Sequence, residues 1–212
     1  MTITLAKLSK FLKNFSLFEA KPKIVVGVSG GPDSIALSFI LNQWIKLQKG
    51  ELIALIIDHK IRSESYKEAL KVKKILNKLS IKNVVIRIRN KNVSKKMSLA
   101  RFNRFEAMIK YCKKNNILHL FLGHHYDDNL ETFLIRSVSG SNLEGLNSIS
   151  YISNLNKINL IRPLLNNTKK QIVAFNKEKE IEYIIDPSNE HLKYTRVIIR
   201  NFLNKTKQIK LI

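Results

Sequence analysis

The sequence predicts an α/β protein: a Rossmann-like parallel sheet with helices on both faces, followed by a small helical C-terminal extension. Three observations carry that prediction. Short β-branched apolar runs recur along the chain and are continuous rather than alternating in polarity, as strands buried on both faces require. A stretch with helical spacing of apolar residues follows each run, which supplies the crossover that parallel strands need. Glycines are scarce, seven in 212 residues, yet Gly27, Gly30 and Gly31 cluster at the end of the first run.

Residues 1–22 read as an N-terminal helical segment. Lys23 to Val28 is the first strand, and Asp33 to Leu47 follows with Ile35, Leu37, Phe39, Ile40, Leu41, Trp44 and Ile45 at helical spacing. Leu52 to Asp58 is a second buried strand, Ser65 to Leu79 a second helix, Asn83 to Ile88 a third strand and Ser98 to Lys114 a third helix. Leu118 to Leu122 and Asp127 to Val138 complete the alternation. Beyond about Gly140 the regularity gives way to polar, Asn-rich loop, then Arg162-Pro-Leu-Leu165, a helix from Thr168 to Lys179 and a last one from Lys193 to Phe202. Residues 23–145 therefore read as the α/β domain and 146–212 as a segment that completes it. Ligands of such sheets gather beyond the carboxyl ends of the strands, which puts Gly27 to Ser34, Asp58 to Arg62 and Gly123 to Asp128 at one edge.

Composition narrows the function. Lys and Arg number 38 against 16 acids, a net charge of +22, with a pI near 10.1. So basic a surface favours a polyanionic partner, nucleic acid before anionic membrane. Richness in Lys, Ile and Asn also fits AT-biased coding, so charge alone carries less weight. The longest apolar run, Leu52 to Ile57, is far short of the roughly 18 residues of a bilayer crossing, and no membrane association is expected. The lone Cys112 allows no internal disulfide and no cleavable signal is visible, so a reducing compartment is expected.

The glycine cluster belongs to Ser29-Gly-Gly-Pro-Asp-Ser34. Glycines permit a tight turn and close approach of backbone, Pro32 suits a helix's first turn, and the free N–H groups there point at whatever precedes the helix. An anion fits, with Ser29 and Ser34 adding hydroxyl donors. Asp33 is an unusual neighbour for phosphate unless it holds Mg²⁺ or orients the loop. An ordinary capped strand-to-helix turn is the competing reading, weakened by the full six-residue string. Neither a Walker loop nor Gly-x-Gly-x-x-Gly is present.

The string resembles the pyrophosphate loop of the N-type ATP pyrophosphatases, which split ATP between its α and β phosphates. Three further strings resemble one branch, the tRNA(Ile)-lysidine synthetases. Asp58-His-Lys-Ile-Arg62 is similar to that family's Asp-His-x-Leu-Arg, with Lys60 where glycine is usual. Gly123-His-His-Tyr-Asp-Asp-Asn-Leu-Glu-Thr132 is similar to Gly-His-x-x-Asp-Asp-x-x-Glu-Thr. Asp186-Pro-Ser-Asn189, followed by Tyr194, Arg196 and Arg200, resembles the closing segment, with Val197 in place of an asparagine. With Ala100 to Arg104 and Arg162 to Leu165, the resemblance spans about Lys23 to Phe202. It implies the adenine nucleotide alpha hydrolase-like form of the fold, residues 23–145 as a PP-loop ATP-binding domain, and a cytoplasmic enzyme of bacteria or plastid stroma. The implied reaction joins free L-lysine to C2 of the anticodon cytidine C34 of tRNA(Ile) with a CAU anticodon. ATP adenylates the C2 oxygen, lysidine forms, and AMP and pyrophosphate leave. Longer relatives carry appended tRNA-binding domains; the sequence stops just past its last arginine motif, so a catalytic domain nearly alone is expected.

The resemblance implies ATP binding by Ser29, Gly30, Gly31, Pro32, Asp33, Ser34, Asp58 and His59, catalysis by Asp33, Arg104 and Arg101, and lysine recognition by His124, Asp128 and Glu131. On their own terms Asp127, Asp128 and Glu131 form a compact acidic group at i, i+1 and i+4, suited to an ammonium or to Mg²⁺, or simply to the helix dipole. Arg101 and Arg104 lie a turn apart and can stabilise charge developing on phosphate or the cytosine oxygen, or form a solvated basic face. Arg196 and Arg200 present two guanidinium forks suited to phosphate of ATP or tRNA. Adjacent His124 and His125, with no third ligand at useful spacing, argue against zinc. A homodimer is left open. Two rivals remain: another PP-loop tRNA-modifying enzyme, a thiolase, which needs more cysteine than Cys112, and a non-catalytic RNA-binding protein, for which clustered acids are a hindrance.

Overall fold

The computed structural model describes residues 3–15, 18–58, 65–88, 97–140 and 149–185. Strands β1 (Lys23–Val28), β2 (Glu51–Asp58), β3 (Asn83–Arg87) and β4 (His119–Phe121) alternate with helices α2 (Pro32–Leu47), α3 (Ser65–Lys78), α4 (Met97–Lys114) and α5 (Tyr126–Val138), after a first helix α1 (Leu5–Lys13). A hairpin, β5 (Ile152–Leu155) and β6 (Ile158–Ile161), and helix α6 (Lys169–Glu178) follow. One six-stranded sheet results, in the order β3-β2-β1-β4-β6-β5. Its pairings are parallel except β5 with β6.

The continuous apolar strands are buried on both faces. Ile24, Val26 and Val28 of β1 point into one layer with Ile35, Leu41 and Trp44 of α2, Val72 and Leu76 of α3, and Ile172 and Phe175 of α6. Val25, Ile53 and Leu120 point into the other, against Met108, Ile109 and Cys112 of α4. Each fully buried Leu or Ile contributes about 1.5–3 kcal/mol. Helix α1 docks through Leu8 and Leu12, one turn apart, and starts at Thr4, whose hydroxyl accepts the Lys7 N–H at 3.3 Å.

The hairpin is the departure from the expected Asn-rich loop. Its strands are four residues each, with Asn154 and Asn159 interrupting the apolar pattern. The turn at Asn156 and Lys157 has φ of 53° and 69°, a left-handed pair of the kind two-residue hairpins use. Strand β6 adds a further parallel strand beside β4, and β5 closes the edge antiparallel. The helix expected over 193–202 lies outside the described residues. No helix among the described residues is long and apolar enough to cross a membrane.

The topology fixes where a ligand belongs. From β1 the chain steps outward through β2 to β3, then returns to the other side of β1 as β4. The connections leaving β1 and β4 therefore diverge, and a crevice opens at their carboxyl ends.

Candidate functional site at the β1 and β4 switch point

The turn from β1 into α2 is held open by its own hydrogen bonds. Ser34 Oγ accepts the Ser29 N–H at 3.2 Å, donates to the Gly31 carbonyl at 3.1 Å and lies 3.3 Å from Ser29 Oγ. Gly30 has φ of +91°, and a Cβ there would come within 2.5 Å of Val72 Cγ2, so only glycine serves. Gly31 caps α2 without a side-chain hydrogen bond and Pro32 takes the first position. The Asp33 and Ser34 N–H groups thus have no intrahelical acceptor, and the helix's positive end faces the crevice. Such an arrangement can hold an anion, and the turn is here called the nest.

Two contacts from far along the chain brace the nest. Ile184 N–H donates to the Gly30 carbonyl at 2.8 Å, and Asn176 Nδ2 donates to the Pro32 carbonyl at 2.9 Å. Asn176 is fully buried on α6. Neither residue was marked by any motif in the sequence; a polar residue on the apolar face of a helix was the one available signal.

The β4–α5 connection presses against the same turn. A Cβ on Gly123 would lie 3.1 Å from Ser34 N, so the two backbones meet where Gly123 stands. Beyond it His125, 5% exposed, caps α5 with Asp128: the His125 N–H donates to Asp128 Oδ2 at 3.0 Å. The His125 ring faces three carboxylates, Asp33 Oδ1 at 3.8 Å, Asp127 Oδ2 at 3.6 Å and Asp128 Oδ2 at 3.6 Å. Asp33 Oδ2 accepts from Lys169 Nζ at 2.5 Å, and Asp127 Oδ2 from the Lys169 N–H at 2.7 Å. His125 and Lys169 thus tie the turn to the acidic start of α5, and sequence reasoning assigned neither.

A cleft of about 420 Å³ opens over the turn. Its described lining includes Ser29, Asp33, Ser34, Asp58, Arg104 and His124, and does not include Arg101, Asp128 or Glu131. Asp58, at the end of β2, is 2% exposed, accepts from Ser65 Oγ at 2.6 Å and has Arg87 Nε at 3.8 Å. Burial, with Arg101 nearby, holds the Arg104 guanidinium below its ordinary value. Arg104 lines the cleft, and no hydrogen bond or ion pair to another described residue is formed by its guanidinium. Arg101 is exposed on the same helix, with its guanidinium 5.9 Å from the Phe105 ring. His124 is pushed down to about 4 by burial, opposed by Asp128 and reinforced by Arg162, Arg101 and Arg104. At neutral pH it is an uncharged imidazole beside cations. Arg162, 8% exposed and bonded to the Ser150 carbonyl and Ser153 Oγ, is the third cation whose charge reaches His124. Glu131 is 1% exposed on α5.

Among the described residues no group of three His, Cys, Asp or Glu side chains is arranged to hold a metal ion. Asp33 Oδ1 is nevertheless a buried carboxylate oxygen with no hydrogen-bond partner. That fits Mg²⁺, which takes one or two protein carboxylates and completes its shell with phosphate oxygens and water. His59, Lys60, Ile61, Arg62, the Asp186 to Asn189 string, Tyr194, Arg196, Val197 and Arg200 lie outside the described residues.

Comparison with known proteins agrees with this geometry. The family model described as a PP-loop domain matches residues 1–207. The tRNA(Ile)-lysidine synthase of Orientia tsutsugamushi (strain Boryong) is 38% identical over 193 residues, covering 91% of this chain and 44% of the relative. That of Wolbachia pipientis wMel is 40% identical over 184 residues, covering 85% and 43%. The chain thus spans less than half the length of these curated relatives. Among solved structures, the U34-tRNA thiolase NcsA from Methanococcus maripaludis with its [4Fe-4S] cluster superposes with a TM-score of 0.79 at 17% identity, over 96% of this chain and 72% of that one, a likeness of fold. With the braced anion nest at the sheet's switch point and a family match over nearly the whole sequence, this chain belongs to the PP-loop domain family.

Proposed function

We propose that the protein is a tRNA(Ile)-lysidine synthetase, using ATP to join L-lysine to C2 of the C34 cytidine of tRNA(Ile) with a CAU anticodon. The observation that carries this reading is the meeting of an anion nest with an acidic, histidine-bearing helix start across Gly123. The relatives' names supply the reaction.

In this reading the polyphosphate of ATP lies on the Ser29 to Ser34 turn, where Ser29 Oγ and the Asp33 and Ser34 N–H groups donate to it. Asp58 and His59 bind the nucleoside end. Asp33 Oδ1 would hold Mg²⁺, which when bound neutralises the departing pyrophosphate. Arg104, supported by Arg101, donates to charge that builds on the α-phosphate and the cytosine O2 as the C2 oxygen takes the adenylyl group. Asp128 and Glu131 hold the lysine with His124, whose neutral imidazole accepts a hydrogen bond from an ammonium without repelling it. The neutral amine then attacks C2, the bond from C2 to oxygen breaks as AMP leaves with the oxygen, and the surplus proton on the nitrogen passes to solvent water. Arg196 and Arg200 engage phosphate, and the +22 charge supplies sequence-independent contact to tRNA, in a cytoplasmic setting.

Thiolation is disfavoured by the one cysteine: Cys112 is fully buried in α4 and its thiol is pushed up to about 12 by burial, so it is not a sulfur carrier. A passive RNA-binding role gives no reason to line the cleft with Asp33 and a buried Asp58 in a chain this basic. The deciding assay is release of pyrophosphate from ATP in the presence of a tRNA(Ile) CAU transcript, with and without lysine. Lysine-dependent release, and incorporation of labelled lysine into the transcript, are expected. Release that ignores both lysine and the transcript overturns the reading.

A further inference from the structure

The turn that cradles an anion also carries a carboxylate, and an incoming polyphosphate meets the Asp33 charge at close range, where repulsion is strong. The cation that answers it comes from elsewhere in the chain. Lys169 Nζ lies 2.5 Å from Asp33 Oδ2, while Asp33 Oδ1 has no hydrogen-bond partner. The Lys169 backbone is anchored separately. Its N–H donates to Asp127 Oδ2 at 2.7 Å, and the Thr168 and Gln171 side chains close a capping box around the first turn of α6. The Lys169 side chain is 43% exposed. A fixed backbone therefore carries a flexible four-carbon stem with a compact charge at its tip.

We propose that Lys169 is a positioning residue for a polyphosphate: it neutralises Asp33, and when the tail fills the Ser29 to Ser34 turn its ammonium passes from the carboxylate to the tail's non-bridging oxygens. This rests on the reading of the turn as the seat of the ATP polyphosphate. One ion pair is exchanged for another and no covalent bond changes. The exchange releases Asp33 Oδ2 as the phosphates arrive, so the carboxylate is screened before binding and available for Mg²⁺ afterwards.

The test is calorimetric titration of inorganic pyrophosphate, ATP and AMP into the full chain and into Lys169→Met, Lys169→Arg and the double variant Lys169→Met with Asp33→Asn. Lys169→Met is expected to weaken pyrophosphate and ATP by about tenfold or more while AMP stays within about twofold, since a charge-assisted contact to the tail is lost. Lys169→Arg keeps the charge and stays within about threefold, and the double variant recovers a large part of the loss because the unscreened carboxylate is gone. A role confined to holding α6 in place would weaken AMP equally and would not be rescued by Asp33→Asn. Unchanged pyrophosphate affinity in Lys169→Met, with the parent binding normally, overturns the proposal and leaves the reading of the turn intact. Failure of the parent chain to bind pyrophosphate or ATP overturns both.

Discussion

Replacing Gly123 by alanine probes whether the two halves of the site meet through main chain. The added Cβ would sit 3.1 Å from Ser34 N and 3.2 Å from Asp33 C and Ser34 Cα, against 3.4 Å for ordinary contact. All three atoms are backbone in the first turn of α2, so no side-chain rotation relieves an overlap of about 0.3 Å. The β4–α5 connection and the turn must separate. Overpacking of this kind costs about 1–3 kcal/mol. For a chain of this size that lowers the melting midpoint by about 2–12 °C. Moving the nest against His124 and Arg104 by a few tenths of an ångström should cost about tenfold in turnover. Differential scanning fluorimetry and lysine-dependent pyrophosphate release read the two effects. Gly140→Ala is the control: a Cβ there meets nothing within 4 Å, and only its φ of +70° is strained. A Gly123→Ala protein that melts and turns over like its parent would refute the argument that backbone contact couples the halves.

Other expectations follow from the same geometry. His124 is held near 4 in the fold against an ordinary 6.5, so the unfolded chain binds its proton first and stability falls as pH drops from about 6.5 towards 4, by at most about 3 kcal/mol. Urea melts at pH 7 and pH 5 should show a smaller loss for His124→Gln than for the parent, and equal losses would contradict the assignment. Arg104→Met should reduce turnover by about 10²-fold or more with ATP affinity little changed, since its contribution is to charge that develops in the reaction. An equal fall in ATP affinity would make it a ground-state ligand instead. Cys112→Ser should keep turnover within about twofold, and the parent thiol should resist aromatic disulfide reagents until the chain is unfolded, because a buried thiol with so high a pKa is inert.

Much of this was legible in the residues. Continuous strands such as Lys23–Val28 and Glu51–Asp58 announced a doubly covered parallel sheet, because burial on both faces leaves no polar alternation. The Ser29 to Ser34 string located the nest, since glycine, proline and serine each have a local reason to be there. The hairpin was hidden because two four-residue strands carrying Asn154 and Asn159 look like loop until β4 offers its free edge. Contacts formed at long sequence separation were equally invisible: nothing around Lys169, Asn176 or Ile184 tells a reader that each reaches the turn 136 or more residues earlier. Of the two histidines, His124 lines the cleft and feels the Asp128 charge, while the ring of His125 faces Asp33, Asp127 and Asp128, a second role that adjacency in sequence does not reveal.

The brace on the nest has a consequence for biosynthesis. The turn emerges from the ribosome with the first strand, but its Gly30 and Pro32 carbonyls find their partners only after Asn176 and Ile184 have been made. Nascent chains halted before that point can assemble β1 to β4 yet lack the clamp that shapes the turn, so competence to capture nucleotide should appear late in translation, as a step separable from collapse of the sheet.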